Sequence, residues 1–544
     1  MPAAKSADLC WGQHHHLLRY EQVPAQSRHE AHITTSYPLP PGCTPGHVRA
    51  ALNHLVRRHE VLRTTYDLAA HPWPRQEVAP PAPLRIVGAT TEDDGTPAPA
   101  DVVDRLVKTP FDLGEDWPMR ACVVTTGSEL KRLHLVFNHL AFDDVSLDLL
   151  SADLDALLAG RAAGRPVALA PVEHQPVDLA RAEAARAPES VEAALEHWRV
   201  EVTWLPTDVY AQRRNTSVEP GAAHSVSFTS PSLLPIAREL AGRRRVWPSA
   251  VHLAAYAVTM AAYTGERLIS HRLYTSQRDA SGFPGVLTCL SYPTLIALDL
   301  ADDPPFSVVL RRAAERIEQS ISHAHVPFDR IVEEVSRESS RRGEQLRVAS
   351  EVNFLDNAPK SCRTKRERLA WHAAPTDWAK AGSDLYFRIY EWADGITLAL
   401  QVLAEVMDRG AAEQFLRGYT RLVQAHHDPS VDLSVSEAAG LMEFAEGLVS
   451  VPGGSNRPER SRVPETEHVL TDVVARVNAL AQVDPADSYV LAGGRVLRLP
   501  RVLAALREAG WDGVSLNQLA GALPLRTLAA RLRPIPGSEN GEDR

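Results

Sequence analysis

The sequence predicts a mixed α/β protein of two lobes followed by a small helical domain. Three observations predict it. Strand-like runs alternate with helical ones up to about residue 435, a proline-rich, charged stretch interrupts them at 164–188, and beyond residue 465 only helical periodicity remains.

Taken in order, Arg58 to Thr64 closes an amphipathic helix that directs Leu55, Val56 and Leu62 to a core. Ala121 to Val124 and Leu133 to Phe137 read as strands. After a short turn, Leu147, Leu150, Leu154, Leu157 and Leu158 recur at helical spacing, with Asp143, Asp144 or Ser146 placed to cap the first turn. The stretch Gly164 to Pro188 reads as the boundary between lobes, and Val191 to Trp198 opens a new helix. Strands are expected at Ile269–Tyr274, Leu385–Tyr390 and Ile396–Val402. A linker rich in Gly, Ser, Pro and Asn runs from Val449 to Pro458 and on to about Glu465. Three helical patterns follow, at Val469–Leu480, Leu497–Ala509 and Leu525–Leu532. The divisions are therefore residues 1–175, 190–437, a linker at 438–465, a helical domain at 466–535 and a disordered tail at 536–544.

Composition excludes several functions. Net charge is -10 and no basic block occurs, so nucleic acid is not an expected partner. The five cysteines, Cys10, Cys43, Cys122, Cys289 and Cys362, are scattered without CxxC spacing and read as reduced thiols of a cytoplasmic protein. No apolar run approaches the roughly 20 residues of a membrane span. His14-His15-His16 has no second set of metal-type donors at a suitable spacing, so it reads as packing, and no metal is expected.

The richest segment is Asn138-His139-Leu140-Ala141-Phe142-Asp143-Asp144-Val145-Ser146, which puts a histidine at a strand end and two carboxylates at a helix start. Other segments accompany it in a fixed order: Arg58 to Thr64, Phe111-Asp112-Leu113 with Pro118-Met119-Arg120, Tyr274 to Arg278, His323 to Asp329, and Glu351 to Phe354. The ordered set resembles the condensation domain of nonribosomal peptide synthetases, within the chloramphenicol-acetyltransferase-like superfamily, over about residues 8–435. That resemblance implies two similar α/β lobes, N-lobe 1–175 and C-lobe 190–437, meeting in a V with a tunnel between them. It also places His14 to His16 inside the family's first motif, around Gln13. The C-terminal domain resembles a peptidyl carrier protein, in which Asp487 to Gly494 precedes the second helix. The resemblance puts Val496 where the phosphopantetheine-bearing serine belongs, and valine has no nucleophile. The domain is therefore read as degenerate, a structural or docking element.

By the same resemblance His139 is the catalytic histidine, acting as general base or as positioner of the attacking amine. Asp143 is structural and pairs with an arginine, Arg278 or alternatively Arg272. Gln13, Ser146, Asn353 and Ser383 are expected to line the tunnel or to serve as caps and buried polar residues. Two residues depart from the family. Asn138 replaces its first histidine and can still donate a hydrogen bond that fixes the loop. Asp144 replaces its glycine, losing conformational freedom and adding a charge. Relatives that recruit cytochrome P450 enzymes share the aspartate but lack the second histidine, which this chain keeps.

The expected activity is a freestanding condensation acyltransferase. It joins an acyl or aminoacyl thioester, held on the phosphopantetheine arm of a separate carrier protein, to a soluble amine or a second carrier-bound amino acid. No cofactor is bound covalently. The alternatives are a silent scaffold recruiting a tailoring enzyme or carrier, or an ester-forming acyltransferase. A heterocyclase would need aspartate at His139, and no GxSxG or phosphate-cradling loop supports a thioesterase or adenylating enzyme.

Overall fold

The computed structural model describes residues 5–535 except 69, 92–98, 187, 216, 357–359 and 445–462. The Gly/Ser/Pro linker at 449–458 and the tail at 536–544 lie outside the described residues. The chain forms two compact units, each mixed α/β.

The first unit holds Met1–Val191, Ser276–Tyr292 and Pro327–Asp329. Its main sheet has four strands in the order His32–Pro38, Glu129–Asn138, Met119–Thr126, Ile86–Thr90. The first three pair antiparallel and the last runs parallel to its neighbour. Leu133, Leu135, Val136 and Phe137 are all buried, which explains why this run reads as a strand from sequence. The helices Pro45–Arg58 and Asp144–Ala162 pack together, burying Leu52, Leu55 and Val56 on one and Leu150, Leu154 and Leu157 on the other. A small antiparallel sheet joins Lys5–Asp8, Arg75–Val78 and Thr64–Asp67.

The boundaries between lobes differ from those expected. The proline-rich stretch is not a free linker, because Pro176–Ala184 forms a helix that buries Val177, Leu179 and Ala180. The buried Glu183 carboxyl group accepts the Trp11 backbone N–H at 2.9 Å, and Cys10 Sγ lies 3.3 Å from the Pro176 carbonyl. The first unit therefore reaches Val191 rather than residue 175. It also takes in Ser276–Tyr292, which sequence order assigns to the C-lobe. At Gly12 the backbone of this segment comes so close that an added Cβ would sit 2.2 Å from the Cys289 carbonyl oxygen.

The second unit contains a seven-stranded sheet, ordered Ser291–Asp299, Leu268–Ser276, Ser350–Asp356, Leu385–Trp392, Gly395–Leu403, Ala223–Ser230, Arg368–Trp371. Ser350–Asp356 lies parallel to both of its neighbours, and the strands from Leu385 onward pair antiparallel. The helix Pro248–Thr264 is apolar all round and accordingly buried, a core element between the sheet and the helices Phe306–Ser322 and Arg409–Ala425.

The C-terminal helices belong to this second unit. They are Val463–Asn478, Leu499–Glu508, Leu516–Leu519 and Leu525–Ala529, with a two-residue ribbon pairing Trp511–Asp512 and Arg533–Pro534. They pack on the helix Phe328–Arg342, where Glu333 accepts Arg495 Nε at 2.8 Å and the Val496 N–H at 3.2 Å. Ser340 and Ser488 exchange a hydrogen bond at 2.8 Å, and Gln345 Oε1 accepts the Ala522 N–H at 2.8 Å.

Candidate active site

The strand Glu129–Asn138 and the helix Asp144–Ala162 hold the histidine turn between them. Asn138 Oδ1 accepts the Leu140 N–H at 2.9 Å, so the asparagine fixes the turn as acceptor, not as the donor expected from sequence. Asp143 is the helix N-cap: its Oδ1 accepts the Ser146 N–H at 2.8 Å. Such a cap satisfies one of the unpaired amides of the first turn.

The same carboxylate reaches across the unit. Arg278 Nη2 donates to Asp143 Oδ1 at 2.7 Å, and the Leu290 N–H donates to Oδ2 at 3.0 Å. Arg278 also donates to Ser146 Oγ at 2.9 Å and to the carbonyls of Val286 and Thr288 at 2.5 and 3.1 Å. The alternative arginine, Arg272, is placed in the second unit, 3.4 Å from Glu351. Asp143 is only 3% exposed, so this network satisfies a charge that burial would otherwise penalise heavily.

Two residues expected at the tunnel wall are fully buried struts. Ser146 Oγ donates to the Thr288 carbonyl at 2.8 Å and accepts the Thr288 N–H at 3.0 Å. Gln13 Oε1 accepts the Cys10 N–H at 2.8 Å, and its amide lies 3.4 Å from Thr288 Oγ1. Both therefore tie Thr288–Leu290 to the rest of the unit. Asn353 and Ser383 are half-buried in the second unit, where Asn353 donates to Tyr386 Oη at 3.1 Å and Ser383 to Glu351 Oε2 at 3.4 Å.

His139 is half-buried and stacks on His16, with ring centroids 4.3 Å apart and planes 24° apart. Burial lowers its pKa below the ordinary value; a bond to its own backbone carbonyl and the charges of Asp144 and Asp143 oppose that, and Arg19 adds to it. His16 lies well below its ordinary value, chiefly through burial and the neighbouring His139. Both rings are thus neutral at pH 7. Cys289 Sγ lies 4.0 Å from His139 Nδ1, and burial, followed by the charge of Asp143, pushes this thiol up.

Asp144 is exposed and is the first residue of the helix, with no positive φ. The conformational freedom of glycine is therefore not needed at this position. What the aspartate adds is charge, felt by both His139 and Cys289.

The expectation that no further metal-type donors stand near the histidine run is overturned. His16, His139 and Cys289 each present a donor atom within 4.8 Å of the others. Sequence reasoning missed Cys289 because 150 residues separate it from His139 and no spacing pattern links them.

Val496 is 1% exposed, packed where its N–H meets Glu333. With neither a nucleophile nor access to solvent, it cannot hold a phosphopantetheine arm.

Residues 22–435 match the condensation-domain family, and the chain belongs to that family. Among curated relatives it is 29% identical over 298 residues, 54% of this chain, to chondramide synthase cmdD of Chondromyces crocatus. It is 26% identical over 318 residues, 57% of this chain, to the phosphinothricin tripeptide synthetase PhsB of Streptomyces viridochromogenes. The matched parts are only 8% and 26% of those proteins, respectively. Similar solved structures include the X-domain from teicoplanin biosynthesis (TM-score 0.60, 21% identity, 82% of this chain and 98% of that one). The condensation domain of the enacyloxin polyketide synthase that mediates chain release has TM-score 0.60, 18% identity, and coverage of 78% and 84%. The epimerization domain of tyrocidine synthetase B has TM-score 0.60, 12% identity, and coverage of 78% and 98%. These likenesses establish a fold that houses different chemistries. Among the described residues no helix is long and apolar enough to cross a membrane.

Proposed function

We propose that the chain is a condensation-type acyltransferase in natural-product biosynthesis. It joins an acyl or aminoacyl thioester on a partner carrier protein to an amine. The observation that carries this reading is His139, a neutral, half-buried imidazole on a turn locked by the Asp143–Arg278 pair. A neutral imidazole bears one lone pair, where an amine proton can be accepted or aligned. The amine nitrogen attacks the thioester carbonyl, the C–S bond breaks, and the proton lost by nitrogen passes to the departing phosphopantetheine thiolate. Because a thioester is already activated, orienting the two partners could supply roughly 7–11 kcal/mol of the rate enhancement.

In this reading the C-terminal helices are a carrier-like domain with Val496 at the attachment position, and the donor arrives on a separate carrier. The acceptor is a soluble amine or a second carrier-bound amino acid, and an alcohol acceptor would give an ester instead.

A second reading, a silent scaffold that recruits a tailoring enzyme or a carrier, is favoured by one observation. The exposed Asp144 carboxylate sets a charge beside His139. Incubating the protein with an acyl-loaded carrier and a pool of amines, followed by mass spectrometry, separates the two. Loss of the acyl group with appearance of an amide supports the acyltransferase, and the product mass names the acceptor. A carrier that binds yet stays loaded supports the scaffold.

A further inference from the structure

The described part of the first unit brings together one imidazole from the helix Trp11–Gln22, one from the turn after Asn138 and one thiol from the segment before Ser291. We propose that His16, His139 and Cys289 form a binding site for a thiophilic divalent cation of the zinc class, and that the bound ion switches His139 off.

Each donor is suited to the role. The Ser291 carbonyl lies 3.0 Å from His16 Nε2 and so holds the proton on that nitrogen, leaving Nδ1 as the atom that bears the lone pair. A carbonyl bonded to one nitrogen of an imidazole is the usual outer contact that orients a ligating histidine, and this carbonyl also lies 3.9 Å from Cys289 Sγ. His139 is neutral and is the least buried of the three donors. Cys289 is fully buried and protonated at rest, and the ion would displace its proton to solvent as the thiolate bond forms.

The surrounding charge is mixed. Asp144 and Asp143 act on both His139 and Cys289 and favour a cation, although Arg278 neutralises Asp143. Arg19 acts on both histidines in the opposite sense. One thiolate is then the deciding charge. Two nitrogens and one sulfur select zinc-like ions over magnesium or calcium, which prefer oxygen.

Tetrahedral zinc, with bonds of about 2.0–2.1 Å to nitrogen and about 2.3 Å to sulfur, holds its donors roughly 3.5 Å apart. The donors here lie within 4.8 Å of one another, so binding needs about 1 Å of closure at the widest pair and a tilt of the two stacked rings. Three protein ligands leave a fourth position for water.

The consequence for His139 does not depend on which nitrogen coordinates. A neutral imidazole has one lone pair: if the ion takes it, the other nitrogen carries a proton and cannot accept one. Inhibition rests on the function proposed above, whereas binding does not.

The test is spectroscopic and uses the full chain, stripped of metal with a chelator and titrated with cobalt(II). The expected result is a near-ultraviolet thiolate-to-cobalt charge-transfer band that saturates at one ion per chain and is bleached by equimolar zinc. Cys289→Ser, close in size, should lose that band while keeping the parent's thermal unfolding midpoint. His16→Asn should weaken cobalt binding by at least about tenfold, or roughly 1.4 kcal/mol. Absence of the band in the parent, or its persistence in Cys289→Ser, overturns the site. Zinc should also block discharge of an acyl-loaded carrier by the parent, with the block relieved in Cys289→Ser. The two readings fail separately. The band in a chain that never discharges a carrier keeps the metal site and removes the acyltransferase, and discharge by a chain without the band does the reverse.

Discussion

At the scale of single residues, the Asp143 carboxylate joins local to long-range structure, capping its own helix and receiving Arg278 and the Leu290 amide. Removing one partner of such a buried pair leaves the other charge uncompensated, at a cost of about 3–5 kcal/mol. Asp143→Ala should therefore lower the unfolding free energy measured in denaturant melts by about 3–5 kcal/mol, with activity lost through folding instead of through chemistry. Glu183 behaves differently. Burial pushes its carboxyl up to about 8, against the backbone N–H of Trp11 and the charge of Arg186, from an ordinary 4.5. Between those values the unfolded chain has released this proton and the folded chain still holds it, so the residue's contribution to stability falls as pH rises from about 4.5 to about 8. Glu183→Gln keeps an acceptor for the Trp11 amide and removes the titration. Its stability relative to the parent should rise across that window in denaturant melts and level off above it.

At the scale of elements, the C-terminal helices are held on Phe328–Arg342 through contacts that include Glu333. Glu333 is fully buried, and besides Arg495 and the Val496 amide it lies 3.3 Å from Arg330 and 3.6 Å from Arg337. The loop before Val496 turns at Gly493, in the left-handed region, and an added Cβ on Gly494 would sit 2.5 Å from the Tyr489 ring. The paired glycines thus serve the turn and its packing against Tyr489. Arg495 is about a third exposed, which screens its pair, so Arg495→Ala should weaken docking by about 1–2 kcal/mol. Hydrogen exchange along Val463–Asn478 and Leu499–Glu508 should rise accordingly, with exchange in Pro248–Thr264 unchanged. Equal protection in variant and parent would leave the docking contact without energetic weight.

At the scale of the whole molecule, strands such as Leu133–Phe137 and Ile396–Val402 were legible in the sequence because alternation and buried runs coincide, whereas Ala223–Ser230, Ser291–Asp299 and Ser350–Asp356 of the larger sheet were not read from it. The histidine turn was legible because a strand pattern, a cap and a helix pattern abut within 30 residues. Chain order misled at Ser276–Tyr292, whose place in the first unit depends on contacts to residues more than 130 positions away. The same long-range packing hid Cys289 and turned Gln13 and Ser146 into buried struts, because burial of a lone polar residue leaves no periodic trace. Proline content likewise suggested a linker where Pro176–Ala184 forms a packed helix, since proline is at home in a first helical turn.

The central claim is that a neutral His139 takes part in breaking a carrier thioester. Its most direct test is the single-turnover discharge of an acyl-loaded carrier, measured against pH for the parent and for His139→Ala. The account predicts discharge to an amine by the parent, with an acid limb below the ordinary imidazole value of about 6.5, and loss of at least about a hundredfold in the variant. Equal discharge by parent and variant across the whole pH range would contradict it.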